Sequence, residues 1–349
     1  MRGLIAILCF YCFYEADLSA QTGGAWVPYG ERYAIVIMGG NEGYTTNHYG
    51  WYWGDTYGMV TKLKTNFGFA DSNICFLSYG PSAAAHASEV NDTSTIANIQ
   101  TAYSWAAQKC GPDDLLYIYW IDHGNPTSFE AHDGLLNHSQ LGAWTDSITA
   151  KCIIGVYNPC QSGAVVDDVS RAGVISITSV DEYQFNSFGW AGAWRTGLNG
   201  GGSSGASDIN ADGYISMTEM YQWIALLSQT AGETSSFDDN GDGVYNQLGK
   251  TGFDPNQAGF DGYYGKHYAL DAWYDKFQGL KEEEIKAQEG PFSLKIYNLQ
   301  GQLIKNEKVD KYSEAQNREG LTKNGIYIIT YETPKGSLIR KSVVFTNGL

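Results

Sequence analysis

Two apolar runs of this 349-residue chain each end on a reactive side chain. The run at 115–121 is followed by His123, and the run at 153–157 is followed by Cys160. If the two runs are neighbouring strands of one parallel sheet, their carboxyl ends lie side by side and the imidazole comes near the thiol. A histidine beside a cysteine activates the sulfur as a nucleophile, so the sequence predicts the chemistry of a cysteine peptidase.

The elements that must position these two residues alternate between strand and helix. Apolar runs at 33–38, 73–78 and 174–178 predict further strands, and apolar residues recur at helical spacing over 55–67 and 94–109. Strand, helix and strand in this order imply right-handed parallel crossovers. The sequence therefore predicts an α/β fold in which helices cover both faces of a mostly parallel sheet.

Charge is shared unevenly along the chain. Residues 1–275 hold 10 Lys and Arg against 29 Asp and Glu, whereas residues 276–349 hold 12 against 9. This break predicts a peptidase domain over 21–275, a linker over 276–290 and a small β-rich domain over 291–349. The acidic body repels phosphate backbones, which argues against a nucleic-acid partner and is compatible with divalent cation binding.

The first twenty residues have the pattern of an export signal. Arg2 precedes an apolar stretch from Gly3 to Tyr14, and Ser19-Ala20 supplies small residues for cleavage. The alternative is a buried first strand. Cys9 and Cys12 fall inside this segment, so their CxxC spacing is not taken as a metal or redox site. No later run reaches the roughly 18 apolar residues that cross a bilayer, so we expect an exported product without a transmembrane segment.

Two further cysteines precede the strands that lead to the reactive residues. Cys110 stands before the run that leads to His123, and Cys152 stands before the run that leads to Cys160. Both would lie at the amino-terminal edge of the sheet. An oxidising compartment favours a disulfide between them, and two buried free thiols are the equal alternative.

The stretch Asp208–Glu219 has oxygen-bearing residues at the spacing of a calcium-binding EF-hand loop. The ligand positions are Asp208, Asn210, Asp212, the Tyr214 carbonyl, Ser216 and Glu219, with Gly213 at the sharp turn. The alternative is an acidic turn that caps the next helix. The pattern predicts a structural calcium ion, and no organic cofactor is indicated.

A second loop begins in the same way. Asp238, Asn240, Asp242 and Gly243 repeat the start of the calcium pattern, but position twelve is Gly249. Without a carboxylate at that position, the sequence predicts at most a weak or shared site.

The Asp122-His123-Gly124 and Cys160-Gln161-Ser162-Gly163 motifs resemble those of the legumain-like cysteine peptidases, which have the caspase-haemoglobinase fold. The resemblance covers roughly residues 33–181. It implies His123 as the general acid, Cys160 as the nucleophile, and the backbone N–H groups of Gly124 and Cys160 as oxyanion donors. Asp-Asn-Gly-Asp-Gly stretches similar to the second loop occur in bacterial members of this family.

The resemblance also assigns residues that contact the substrate, with departures. Where the family has an arginine and a glutamate that bind an asparagine side chain, this chain has Trp51 and Asn158, and Ser179 is expected beside them. Cleavage after asparagine is therefore not expected. The family's orienting asparagine corresponds to one residue of 47–49, for which a solvated loop is the alternative.

The C-terminal residues resemble the sorting domain of type IX secretion. The resemblance rests on the apolar runs at 293–297, 325–331 and 341–345. Sorting domains of this kind are small β-sandwiches that interact with the secretion machinery. A generic β accessory domain or a carbohydrate-binding domain is the alternative. The resemblance implies a product that is secreted or held at the outer-membrane surface of a gram-negative bacterium.

Taken together, the motifs predict a secreted cysteine endopeptidase with a Cys160–His123 dyad, a thioester intermediate and structural calcium, acting on protein or peptide substrates. A transpeptidase on the same scaffold would share the acyl-enzyme but exclude water while it is resolved. A calcium-binding surface protein without catalysis is the third reading, against which the retained His123 and Cys160 argue.

Overall fold

The computed structural model describes residues 25–40, 42–187, 189–202 and 206–275, together with four strands of the C-terminal segment. The expected signal peptide and linker lie outside the described residues. Pro28–Trp273 forms one compact unit, and the strands that follow Tyr274 belong to a second. None of the described helices is long and apolar enough to span a lipid bilayer.

The described helices carry the apolar faces that cover the central sheet. They are α1 (Asn47–Phe67), α2 (Gly80–Ala85), α3 (Ile96–Lys109), α4 (His138–Asp146), α5 (Val166–Val169), α6 (Trp190–Gly197) and α7 (Met217–Thr230).

The described strands that precede the C-terminal segment begin with β1 (Ala25–Pro28), which pairs with β11 (Ala272–Asp275). Between these two lie β2 (Arg32–Met38), β3 (Ile74–Leu77), β4 (Leu115–Ile121), β5 (Gly124–Asn125), β6 (Ser128–Ala131), β7 (Gly134–Asn137), β8 (Cys152–Tyr157), β9 (Val174–Thr178) and β10 (Ser236–Asp238).

The central sheet has six strands in the order β10-β9-β8-β4-β2-β3. All neighbours run parallel except β10, which is antiparallel to β9. Strands β4 and β8 are direct neighbours, and Trp120 is paired with Tyr157. The strand pairing expected from the sequence is therefore present, and the fold is mixed α/β with a mixed sheet.

Apolar side chains of the sheet pack against helices on both faces. Tyr117 and Tyr119 of β4 lie in a cluster that contains buried residues of α1, α6 and α7. Ile118 and Trp120 lie in a second cluster with residues of α3 and α4. Because side chains alternate along a strand, one continuous apolar run fills both layers. Helices on both faces are confirmed.

Helix α1 is longer than its apolar spacing predicts. It begins at Asn47 rather than at Asp55, because Thr46 caps it by accepting the N–H of Tyr49 at 3.2 Å. Gly68 ends the helix in the left-handed conformation that glycine adopts without a Cβ clash. The longer helix brings the aromatic residues of its first half to the carboxyl edge of the sheet.

The segment between β4 and β8, for which the sequence shows only weak helical character, contains a small antiparallel sheet and a helix. Gly124 of β5 pairs with Phe129 of β6, and β6 pairs with β7. The His123 carbonyl accepts the N–H of Glu130 at 3.0 Å. These short strands fix the backbone immediately after His123.

The second unit contains a four-stranded antiparallel sheet. Its strands are β12 (Phe292–Tyr297), β13 (Leu303–Val309), β14 (Gly325–Glu332) and β15 (Leu338–Phe345), in the order β13-β12-β14-β15. The three apolar runs of the tail fall on β12, β14 and β15.

Candidate active site

The two predicted reactive residues follow neighbouring strands at the same edge of the sheet. His123 comes two residues after the end of β4, and Cys160 comes three residues after the end of β8. The N–H of Asn158 donates to the Trp120 carbonyl at 2.9 Å and extends the strand pairing beyond β8. The pairing thus brings both reactive side chains to one end of the sheet.

Gly124 packs against the segment that contains Cys160. A Cβ placed on Gly124 would lie 2.7 Å from the Cβ of Pro159 and 2.9 Å from the carbonyl oxygen of Cys160. Any larger residue would push the segments apart. The glycine predicted to let the backbone approach the reaction centre is therefore packed directly against the cysteine segment.

Cys160 is partly buried, and the loop that contains Asn186 covers its sulfur. The N–H of Asn186 lies 3.4 Å from Sγ, in position to donate a hydrogen bond. Burial raises the pKa of the Cys160 thiol and the Glu233 charge raises it further, whereas the Asn186 N–H lowers it. The pKa of the thiol nevertheless stays above its ordinary value, so a nearby cation would be needed for the thiolate to form readily.

His123 is held by a carboxylate that the sequence did not single out. Its Nε2 lies 2.5 Å from Oε1 of Glu42, and because a carboxylate only accepts, Nε2 must carry the hydrogen. The His123 side chain is 40% exposed, so it is accessible from solvent. The His123 bond is the largest influence that lowers the pKa of Glu42, as expected for a charge-assisted pair.

Glu42 is itself fixed in place. Its N–H donates to the Tyr79 hydroxyl at 2.9 Å, and the Thr46 hydroxyl donates to its Oε2 at 3.2 Å. The Tyr52 ring meets the His123 ring edge-on, with 5.8 Å between centroids. The imidazole is therefore oriented by contacts from two elements, the loop after β2 and helix α1.

The Tyr52 hydroxyl lies among acidic groups of the site. Burial is the main cause that raises the pKa of its hydroxyl, followed by the charges of Asp122, Glu42 and Cys160. The Tyr52 hydroxyl therefore keeps its proton at neutral pH.

Asp122 lies buried beneath His123. Its Oδ1 accepts the N–H of His123 at 2.9 Å, its Oδ2 makes no hydrogen bond among the described residues, and its backbone φ is 139°. Burial, followed by the charges of Glu130 and Glu42, raises the pKa of Asp122 to about 8, against the lowering effect of the His123 N–H. Three possible ligand atoms, one each from Asp122, His123 and Glu130, lie within 4.8 Å of one another. This spacing could hold a metal ion.

The residues expected to contact substrate lie in two places. Asn158 and Ser179 are buried together, because the Ser179 hydroxyl donates to the Asn158 carbonyl at 3.1 Å. Asn186 joins them by donating its Nδ2 to the same carbonyl at 2.8 Å. Trp51 instead lies on α1, 59% exposed, with its ring 5.2 Å from the His48 ring.

The contact expected from one residue of 47–49 is made by Glu42. Nδ1 of His48 lies 4.0 Å from Oε1 of Glu42, and Tyr49 is buried with its hydroxyl donating to the Tyr79 carbonyl. The sequence could have pointed to Glu42, because this residue follows β2 at the carboxyl edge of the central sheet. No comparable signal pointed to Asn186, which lies 26 residues beyond the cysteine.

The predicted calcium loop has the hydrogen bonds that such a loop requires. Oδ2 of Asp208 accepts the N–H of Gly213 at 3.0 Å, and Asn210 Oδ1 accepts the N–H of Asp212 at 2.9 Å. Gly213 has a φ of 90°, which the turn at position six demands. Carboxylate, amide and carbonyl oxygens are the ligands that calcium prefers, so this donor set fits the ion.

Glu219 closes the loop from the first turn of α7. Its Oε1 accepts the N–H groups of Ile209 and Asn210, each at 3.0 Å. Its Oε2 accepts both the N–H and the hydroxyl of Ser216, which completes a capping box. Glu219 thus takes part in the helix cap that the alternative interpretation predicts. The same residue would complete a calcium site.

The remaining cysteines are free in the structure. Cys110 and Cys152 are both buried and unbonded, as the free-thiol alternative expected. Burial raises the pKa of Cys110 to about 12, with a further contribution from Asp114. These thiols resist ionisation at neutral pH.

Comparison with known proteins identifies the C-terminal segment. Residues 282–345 match the secretion system C-terminal sorting domain, so this part of the chain is a type IX sorting domain. It marks the product for secretion or attachment to the cell surface and implies interaction with the secretion machinery. No curated protein matches the chain.

A solved structure titled "Structure of Protease" resembles the chain weakly. It is 13% identical, with a TM-score of 0.36, and the match covers 90% of this chain and 67% of the other. A likeness of this size carries no argument about fold family or activity.

We predict that Asp122→Asn reduces the loss of stability at high pH. The pKa of Asp122 is 3.8 when unperturbed and about 8 here, so the folded state keeps a proton that the unfolded state loses. Stability from this group is present below pH 4 and falls as pH rises towards 8, by up to about 1.4 kcal/mol per pH unit. Asparagine keeps Oδ1 as an acceptor and removes the titration.

Thermal unfolding of wild type and Asp122→Asn between pH 5 and pH 8 measures this effect. The wild-type melting temperature is expected to fall more steeply than that of the variant. Asp113→Asn, at an exposed position, serves as the control and should follow the wild type. Equal slopes for wild type and Asp122→Asn would contradict the assignment.

Proposed function

We propose that this protein is a secreted cysteine endopeptidase with legumain-like chemistry. The observation that carries the proposal is the meeting of two segments at one sheet edge: Gly124, next to His123, packs against the Cys160 backbone, while Glu42 holds the imidazole. In this proposal the first unit has the caspase-haemoglobinase fold. The C-terminal sheet belongs to the small β-sandwich that is typical of sorting domains.

The reaction begins with attack by the Cys160 thiolate on the carbonyl carbon of the scissile bond. The carbon–sulfur bond forms and a tetrahedral oxyanion develops, which the N–H groups of Gly124 and Cys160 stabilise. As the carbon–nitrogen bond breaks, protonated His123 gives a proton to the leaving amine. Water then attacks the thioester, transfers its proton to His123 and regenerates the thiolate.

Glu42 determines which imidazole nitrogen takes part in proton transfer. Because Glu42 accepts the hydrogen on Nε2, Nδ1 is the nitrogen left to exchange a proton with the amine and with water. The negative carboxylate also complements the positive charge of the imidazolium in this mechanism. This imidazolium supplies the cation that the partly buried Cys160 thiol needs in order to ionise.

Calcium is proposed as a structural ion in the loop Asp208–Glu219. Asp208, Asn210, Asp212 and Glu219 would hold it with their side chains and Tyr214 with its carbonyl. The ion would neutralise the loop's carboxylates and stiffen the start of α7. No part of the peptide-bond chemistry passes through this loop.

We expect Cys160→Ala to abolish peptide hydrolysis by the purified calcium-loaded protein, because no other nucleophile is proposed. His123→Ala should lower kcat/KM by about 100-fold or more, since one positioned acid–base group typically contributes that much. A peptide library digest followed by mass spectrometry measures both effects. It also reveals the residue that precedes the cleaved bond.

Cys75→Ala provides a control that leaves the site intact, because this partly buried thiol lies on β3. An acyloxymethyl ketone peptide should label wild type and Cys75→Ala but not Cys160→Ala. Full hydrolysis by Cys160→Ala would refute the mechanism. Failure of the wild type to react with the probe and to cleave any peptide would favour a binding protein without catalysis.

We expect Glu42→Gln to lower kcat/KM by about tenfold or more. Glutamine keeps an acceptor near Nε2 but removes the negative charge, and a charge-assisted hydrogen bond is worth about 1.5–3 kcal/mol. The measurement is kcat/KM for a peptide identified by the digest.

Glu89→Gln is the matched control for this change. Glu89 forms the same kind of pair with His86, whose Nδ1 lies 3.3 Å from Oε1, away from the cysteine segment. Its kcat/KM should match that of the wild type. If Glu42→Gln also matches the wild type, the proposed role of the Glu42 carboxylate at His123 is wrong.

We expect Glu219→Gln to weaken calcium binding by about tenfold or more, because one ligand carboxylate loses its charge. The gain in melting temperature on adding calcium should shrink accordingly. Calorimetric titration and thermal unfolding with and without chelator measure the two effects. Glu31→Gln, remote from the loop in sequence, is the control, and an unchanged calcium response in Glu219→Gln would exclude this loop as the site.

A further inference from the structure

We propose that the loop Asp238–Val244 is a second calcium site, formed by the side chains of Asp238, Asn240 and Asp242. The occupant is a divalent cation that prefers oxygen ligands, and calcium meets this description best. The site lies at the end of β10, and it is separate from both the Asp208–Glu219 loop and the peptidase chemistry.

The loop is folded as an oxygen-lined turn. Asn240 Oδ1 accepts the N–H of Asp242 at 2.8 Å, and Asp242 Oδ1 accepts the N–H of Val244 at 2.8 Å. Asn240 Nδ2 lies 3.2 Å from Oδ2 of Asp242. The same three bonds occur at the corresponding positions of the first calcium loop, with lengths of 2.9, 2.9 and 3.3 Å.

The burial of the Asp238 carboxylate is an independent observation in favour of a cation. Its side chain is buried, with 1% relative exposure. Oδ1 accepts the N–H of Gly241 at 3.1 Å, which turns the carboxylate into the loop, whereas Oδ2 makes no hydrogen bond among the described residues. A buried carboxylate oxygen without a partner is costly, and a bound cation would remove that cost.

The surroundings add negative charge. Asp239 and Asp261 are also buried, and both are engaged by amide groups: Asp239 accepts the N–H groups of Gly262 and Gly265, and Asp261 accepts those of Asp239 and Asn240. The lysine and arginine ion pairs of the described residues involve none of these carboxylates. A divalent cation beside them would be electrostatically favoured.

The ligand set predicts weaker binding than in the first loop. Val244 stands at position seven, where the backbone carbonyl is a ligand, but position twelve is Gly249 and supplies no carboxylate. The Ser170 hydroxyl accepts the N–H of Gly243 at 3.0 Å, and its interaction with the Asp238 carboxylate lowers the pKa of that group. This hydroxyl offers one more oxygen beside the loop. Water would complete the coordination, so we expect two sites of unequal affinity.

Because of where the loop lies, a bound ion would also affect the part of the first unit that surrounds Cys160. Asp238 is the last residue of β10 and pairs with Ser176 of β9. Just before β10, the N–H of Thr234 donates to the Gln184 side chain at 2.8 Å, in the loop that covers the cysteine. Calcium that fixes the end of β10 would therefore also stabilise this loop.

Calcium titration of the full chain carrying Cys160→Ala tests the proposal without self-cleavage. Two binding events of unequal affinity are expected by calorimetry. Adding Asp242→Asn should weaken the lower-affinity event by about tenfold or more and leave the other unchanged. Glu219→Gln should do the reverse, and Asp238→Asn should repeat the effect of Asp242→Asn.

Asp254→Asn is the matched control, because this aspartate accepts the N–H of Asn256 in a similar acidic turn outside the loop. Hydrogen exchange gives a second readout: calcium should slow exchange over residues 234–244 in the parent but not in Asp242→Asn. A single binding event that Asp242→Asn leaves unchanged would overturn the inference. Because none of these readouts uses catalysis, the second site stands or falls independently of the peptidase proposal.

Discussion

The parallel pairing of β4 with β8 is the constraint on which the rest of the site depends. With Trp120 paired to Tyr157, the chain emerges from both strands at one edge, and the bond from Asn158 to the Trp120 carbonyl carries the pairing further. A slip of one residue in either strand would turn its apolar side chains from one core layer to the other. Packing on both faces therefore fixes where the histidine and the cysteine emerge.

Carboxylates dominate the surroundings of the reactive pair. Glu42 contacts the imidazole directly, Asp122 lies buried beneath it, and Glu130 lies within reach of both Asp122 and His123. Burial and the Glu233 charge raise the pKa of the Cys160 thiol, so these carboxylates oppose an isolated thiolate. In the proposed mechanism, a protonated His123 held by Glu42 compensates for this cost.

The two acidic loops show how much local sequence can specify. At Asp208–Glu219 and at Asp238–Val244, alternating oxygen-bearing residues fold back onto their own N–H groups, so the turn depends mainly on residues within the loop. What differs is the closing residue. Glu219 returns to the first loop from α7, whereas the second relies on the burial of Asp238 against the sheet.

The sequence by itself determined the alternation of strands and helices, the sheet edge at which His123 and Cys160 emerge, and the spacing of oxygen-bearing residues in the loop Asp208–Glu219, because each follows from residues close together in the chain. Tertiary structure alone decided that Glu42 holds the imidazole and that Asn186 covers the sulfur. These contacts join segments 81 and 26 residues apart, and such distances close only when the sheet and helix α1 are in place.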